Sequence, residues 1–134
     1  MTTKEPIFLT LSQVLRLHKR QIERFGGADG IRDVGLIESA IAQPRQGFGG
    51  EYVHQTLAEM AAAYLFYLVK NHGFVDGNKR VGMAASLAFL KINGIDTSRI
   101  IEDDMESLTR SVAEGTRSKS AAAEFFRSRI NGDE

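Results

Sequence analysis

No cysteine occurs among the 134 residues, which excludes a disulfide scaffold, a thiolate zinc site and a cysteine nucleophile together. Charge of either sign is not in excess: 17 Lys and Arg residues meet 17 Asp and Glu residues. The chain therefore lacks the positive field of a general nucleic-acid binder, and no direct nucleic-acid binding is expected. Long hydrophobic runs are missing too. The longest, residues 61–69, is interrupted by two tyrosines and falls far short of the roughly 20 residues that a membrane helix needs. Residues 1–6 hold no apolar core of signal-peptide length, so the expected location is cytoplasmic. The three histidines, His18, His54 and His72, show no H-x-x-x-H spacing, which argues against a zinc site. There is no internal repeat, no low-complexity tract and no G-x-x-x-x-G-K-[ST] phosphate loop.

What remains is a soluble globular composition, 43% apolar and 25% charged, of a length suited to one ordinary domain. Its patterning is helical throughout. Thr10-Leu11-Ser12-Gln13 reads as a capping box. Behind it Leu11, Leu15, His18, Ile22 and Phe25 form an apolar stripe closed by Gly26-Gly27. Asp33 is placed to cap a short helix carrying Leu36, Ile37, Ala40 and Ile41, ended by Pro44. Residues 43–50 hold one proline and three glycines and read as a loop or small hairpin flap. Further helices are expected over 55–71, 78–93, 103–114 and 120–130, the acidic cluster Glu102-Asp103-Asp104 with Glu106 suiting the dipole at a helix start. The expected fold is an all-α, compact single-domain helical bundle over 7–127, with terminal extensions 1–6 and 128–134.

The two central helices flank Asn71-His72-Gly73-Phe74-Val75-Asp76-Gly77-Asn78-Lys79-Arg80. Gly73 and Gly77 let the backbone turn tightly and come close to a ligand. The helix that follows offers unpaired N–H groups and the positive end of its dipole, an anion site. Arg80 is able to fork two phosphate oxygens, and Lys79 adds a second cation. Asp76 is a hard oxygen ligand of the kind that holds magnesium beside phosphate. His72 carries an imidazole, which can accept the proton of an attacking hydroxyl. Singly, each has a plainer role: His72 as a helix C-terminal residue, Asp76 and Asn78 as turn and cap residues, Lys79 and Arg80 as a solvated face. Together they point to an active site. Phe74 is expected in the core, His18 as a packed, hydrogen-bonded core residue and His54 at the surface.

His72-x-Phe74-x-Asp76-Gly77-Asn78-Lys79-Arg80 resembles the signature loop of the Fic/Doc family, closest to the Doc (death-on-curing) toxin branch with its usual H-P-F-x-D-G-N-K-R-T. The likeness extends to Phe25-Gly26-Gly27, Gly30-Ile31-Arg32-Asp33, Leu36-Ile37-Glu38-Ser39-Ala40, Pro44-Arg45-Gln46 and Phe89-Leu90-Lys91-Ile92-Asn93-Gly94. The resemblance implies that His72 is the general base, that Asp76 holds Mg and that Gly77, Asn78, Lys79 and Arg80 bind the phosphates of ATP. Phe74 would anchor the loop. It implies further that Lys79, where AMP-transferring Fic enzymes usually carry glycine, reverses the nucleotide so that the γ-phosphate passes to a protein hydroxyl, in Doc to a threonine of elongation factor Tu. AMP transfer on the same loop is the alternative reading, and a non-catalytic nucleotide- or partner-binding module the second. Two positions depart from the pattern: Gly73 replaces proline, which is expected to loosen the loop, and Val81 replaces threonine. The self-inhibitory pattern [S/T]-x-x-x-E-[G/N] fails at Arg110 before Glu114-Gly115. The resemblance then implies an external inhibitor, a small antitoxin whose C-terminal segment folds into a groove beside the site.

Overall fold

The computed structural model describes residues 5–130. Six helices build the fold: α1 Leu11–Phe25, α2 Val34–Ala42, α3 Leu57–Asn71, α4 Asn78–Ile92, α5 Glu102–Glu114 and α6 Lys119–Arg129. A 3-10 turn, Gln43–Arg45, and a two-stranded antiparallel hairpin, β1 Gly47–Phe48 and β2 Glu51–Tyr52, lie between α2 and α3. The helical bundle and small hairpin expected from patterning are both present. Of the expected terminal extensions, only residues 5–6 and 128–130 are among those described; α6 runs on to Arg129, and Ile130 is buried.

Local chemistry accounts for the helix starts. Thr10 Oγ1 accepts the Gln13 N–H while Gln13 Oε1 accepts the Thr10 N–H, a complete capping box. Asp33 caps α2 through its Oδ1, Thr56 caps α3, and Ser118 caps α6. Three acidic residues in the first turn of α5 replace a side-chain cap with dipole compensation. The hairpin turns on Gly49 and Gly50, both with positive φ (63° and 84°), as a tight turn that matches strand twist requires.

The core is organised around α3. From Ala58 to Val69 it buries Ala61, Ala62, Ala63, Tyr64 and Leu65 in succession, a helix apolar nearly all round and therefore central. Against it α4 packs closely: a Cβ on Gly82 would lie 2.8 Å from Val69 Cγ2 and 3.3 Å from the Leu65 carbonyl oxygen. That proximity sets the spacing of the two helices whose facing ends carry the His72–Arg80 loop. Tyr64 is fully buried, its hydroxyl accepting the Leu9 N–H at 2.9 Å, and burial pushes its pKa up to about 12.

Two placements differ from the sequence reading. The inward seam of α1 is Val14 and His18; Leu11, Leu15 and Ile22 are half-buried, and Phe25 is exposed. Helix α1 lies at the edge of the bundle and its last turn overhangs the site instead of the core. His54 is buried, not at the surface: it is 6% exposed, with Nε2 3.0 Å from Lys119 Nζ at the start of α6. Burial, and then the Lys119 charge, hold its pKa below the ordinary value.

Candidate active site

The loop is shaped by a segment that precedes α2. The Gly73 carbonyl accepts two N–H groups, from Arg32 and Asp33, each at 2.9 Å. The Val75 N–H donates to the Gly30 carbonyl at 3.0 Å, completing a short antiparallel bridge between Ile31 and Phe74. Within the loop the Asn78 side chain closes a ring with Phe74: its Oδ1 accepts the Phe74 N–H at 3.1 Å, and its Nδ2 donates to the Phe74 carbonyl at 3.0 Å. The backbone is therefore held from outside and from within.

Gly73 was expected to loosen this loop, and the structure reverses that expectation. The residue is buried, and a Cβ there would collide with Ile37 Cγ1 and lie 3.1 Å from the Ile37 nitrogen and 3.3 Å from the Asp33 carbonyl oxygen. Helix α2 occupies the space a side chain would need. Gly77 has a different reason to be glycine: it caps α4 with φ 79°, a left-handed backbone that favours glycine, and a Cβ would press on Ile22 and His18.

Phe74 is in the core, as expected. It is 2% exposed and stacks on His18 with centroids 3.8 Å apart and planes 9° from parallel. His18 is the packed, hydrogen-bonded residue the sequence suggested. Its Nε2 lies 2.7 Å from the Asp76 carbonyl oxygen; a carbonyl only accepts, so Nε2 carries the proton and donates.

His72, Asp76, Gly77, Asn78, Lys79 and Arg80 all line one cleft of about 410 Å³, within the roughly 300–1,000 Å³ of small-molecule sites. His72 ends α3 in the left-handed conformation, φ 54° and ψ 48°, the one positive-φ non-glycine among the described residues. Its carbonyl is fixed by the Arg32 Nε–H at 2.7 Å while the side chain stays exposed. Strain of this kind at a cleft residue fits a functional constraint.

Asp76 lines the cleft with both carboxylate oxygens engaged by backbone donors. Oδ2 accepts the Ala28 N–H at 3.2 Å and Oδ1 the Gly77 N–H at 2.8 Å. These two hydrogen bonds, the Ala28 one first, hold its pKa below the usual carboxylate range, with Lys79 adding a smaller pull. Each oxygen keeps acceptor capacity for a further ligand. No group of three or more acidic or histidine ligands forms among the described residues. A magnesium ion here would accordingly rest on Asp76 and on the phosphates and waters it brings, the usual manner of that ion.

The first intrahelical bond of α4 runs from the Val81 N–H to the Gly77 carbonyl, and no side chain caps the helix start. The N–H groups of residues 78–80 thus precede the helical ladder, donors of the kind that bind anions at a helix start. The Asn78 side-chain amide is engaged with Phe74, which leaves its backbone N–H as its group at the helix start. The Arg80 guanidinium lies 3.8 Å over the Phe25 ring, with Nη2 3.8 Å from Glu106 Oε2 on α5. Phe25, Glu106, Arg32 and the Ala28 N–H are site elements that sequence reasoning missed. The Phe25-Gly26-Gly27 likeness was visible, but nothing in its spacing shows that Phe25 turns outward over Arg80.

A family model described as the Fic/DOC family matches residues 8–90. The protein called Toxin Doc from Mycolicibacterium smegmatis is 41% identical over 90 residues, which are 66% of this chain and 69% of that one. The protein called Protein kinase doc of Escherichia phage P1 is 31% identical over 115 residues, covering 86% of this chain and 89% of its relative.

Proposed function

The chain belongs to the Fic/DOC family, and on that premise we propose that it is the toxin of a toxin–antitoxin pair, an ATP- and magnesium-dependent protein phosphotransferase. The observation that carries the reading is the convergence of His72, Asp76, Lys79, Arg80 and the α4 N-terminus on one cleft. A histidine, an ionised carboxylate, two cations and free backbone donors are the parts that phosphoryl transfer needs.

In this reading the phosphates of ATP lie against the N–H groups of residues 78–80, with Arg80 forking two of their oxygens and Lys79 beside them. Magnesium, held by Asp76, would neutralise charge between the phosphates. His72 accepts the proton of the target hydroxyl as its oxygen bonds to the γ-phosphorus. The bond from that phosphorus to the bridging oxygen breaks in line, and ADP leaves. The fixed His72 carbonyl keeps the helix end in place while the ring is free to meet the substrate. The target is a protein hydroxyl, with elongation factor Tu the first candidate to assay. The controlling partner is a small antitoxin binding beside the site.

Lys79 favours γ-phosphate transfer over AMP transfer because its side chain and charge occupy the place that glycine leaves open for an α-phosphate. Incubation of the purified protein with cell extract and ATP labelled on the α- or the γ-phosphate tests this. Label on a protein band from γ-labelled ATP alone is expected. Label from α-labelled ATP would install AMP transfer instead, and no transfer of either label would favour the binding-module reading.

A further inference from the structure

Arg80 reaches the cleft with an unusual pair of neighbours. Its guanidinium rests 3.8 Å from the centre of the Phe25 ring, and Glu106 Oε2 lies 3.8 Å from Nη2, outside hydrogen-bonding distance. A guanidinium carbon this close to the ring centre leaves no room for an N–H to point into the ring, so the contact is made by the guanidinium face and its in-plane N–H donors stay uncommitted. The phosphate-binding fork is therefore located without being consumed. A close carboxylate pair would have located it equally well and filled it.

The same ring also meets the Arg24 guanidinium, but at 5.1 Å, well beyond the 3.8 Å of Arg80. Phe25 is 43% exposed on the last turn of α1, a large apolar side chain outside the core. It lines the same cleft as His72, Asp76 and Arg80. The chain then turns at Gly26 and Gly27, and Ala28 delivers its N–H to Asp76 Oδ2. A Cβ at Gly27, where φ is 114°, would lie 2.8 Å from that same oxygen and push the carboxylate out of place. One short segment, residues 25–28, thus places both the cation and the carboxylate.

We propose that Phe25 is the positioning residue for Arg80, holding the guanidinium by its face so that its N–H fork stays open to phosphate oxygens. This rests on the phosphate-binding reading of Arg80. The contribution expected of a partly exposed cation–π contact is about two- to five-fold in affinity, felt by the phosphates and not by the base.

The test is calorimetric titration of the whole protein with Mg-ATP and, separately, with magnesium tripolyphosphate. Phe25→Leu is expected to weaken both ligands by about two- to five-fold, and Phe25→Tyr, which keeps the ring, to bind as the wild type does. In an Arg80→Ala background, Phe25→Leu is expected to add nothing further. Equal loss with and without Arg80, or loss for ATP but not for tripolyphosphate, would show Phe25 acting directly on the nucleotide and overturn the proposal. So would unchanged affinity in Phe25→Leu while Arg80→Ala still loses binding. If Arg80→Ala itself binds Mg-ATP normally, the phosphate-binding reading is what has failed.

Discussion

Replacing Gly73 with alanine adds one methyl group at a place where α2 leaves no room. The new Cβ would collide with Ile37 Cγ1 and lie 3.1 Å and 3.3 Å from two backbone atoms, the Ile37 nitrogen and the Asp33 oxygen. Neither side can yield easily. Ile37 is 1% exposed, and the Asp33 backbone is tied to the Gly73 carbonyl. Overpacking of this kind costs about 1–3 kcal/mol. The escape route is separation of the loop from α2, which forfeits the two hydrogen bonds to the Gly73 carbonyl at about 0.5–1.5 kcal/mol each, so the same range holds either way. With an unfolding entropy of roughly 2.1 cal/mol/K per residue over 134 residues, Tm should fall by roughly 4–11 °C. Thermal unfolding followed by far-ultraviolet circular dichroism measures this. The double variant Gly73→Ala/Ile37→Ala identifies the cause: with Cγ1 removed, the alanine penalty should shrink, giving a coupling energy between the sites. A Gly73→Ala protein with unchanged Tm, or a penalty indifferent to Ile37, would refute the argument that α2 packing requires glycine here.

Three further outcomes are expected. His72→Ala should cut transfer by about a hundred- to ten-thousand-fold with an unchanged melting curve, because the exposed ring contributes little packing; a folded variant of normal turnover would remove His72 from the mechanism. Lys79→Gly should impair γ-phosphate transfer and permit some AMP transfer, read from α- and γ-labelled ATP in parallel; retention of full γ-transfer would show that the lysine does not select the phosphate. His54 has its pKa lowered by burial and Lys119, so in the pH range below about 6.5 the unfolded chain binds a proton that the folded one resists. Stability should then be full above that pH and decline below it, urea melts across the range should show the decline, and His54→Gln should flatten it; an equally steep profile in the variant would clear His54 of the effect.

Helix positions were legible because capping and periodicity are local: Thr10 and Gln13, Asp33 and the glycines at helix ends act within a few residues. The loop residues were legible as a set because they lie within ten consecutive positions, and they line one cleft. Long-range placement was not. His54 reads as a polar residue before a helix, and only the arrival of α6, with Lys119 beside it, buries it. Phe25 fits the apolar spacing of α1, yet the helix lies at the edge of the bundle, so its last turn serves the cleft. Gly73 looked like a loss of rigidity because a lone glycine is flexible; whether it is free depends on what packs against it, here Ile37. Asn78 reads as a phosphate ligand from the sequence; that its side-chain amide braces Phe74 shows only in the structure.

The bonds from residues 28–33 to the loop span about forty positions of sequence or more, and they make assembly of the cleft a late product of folding. A growing chain completes α1 and the segment after it before the loop exists, so the template waits for its counterpart. Closing such a separation carries an entropic cost that α3 must first offset by packing. A fragment confined to the loop and α4 would contain every residue of the signature and hold Asp76 through Gly77 alone. For the same reason, an opening that lifts α1 away from α4 would dismantle the site while most helical structure persists. The transfer activity proposed for this cleft should therefore vanish earlier than helicity as denaturant is added.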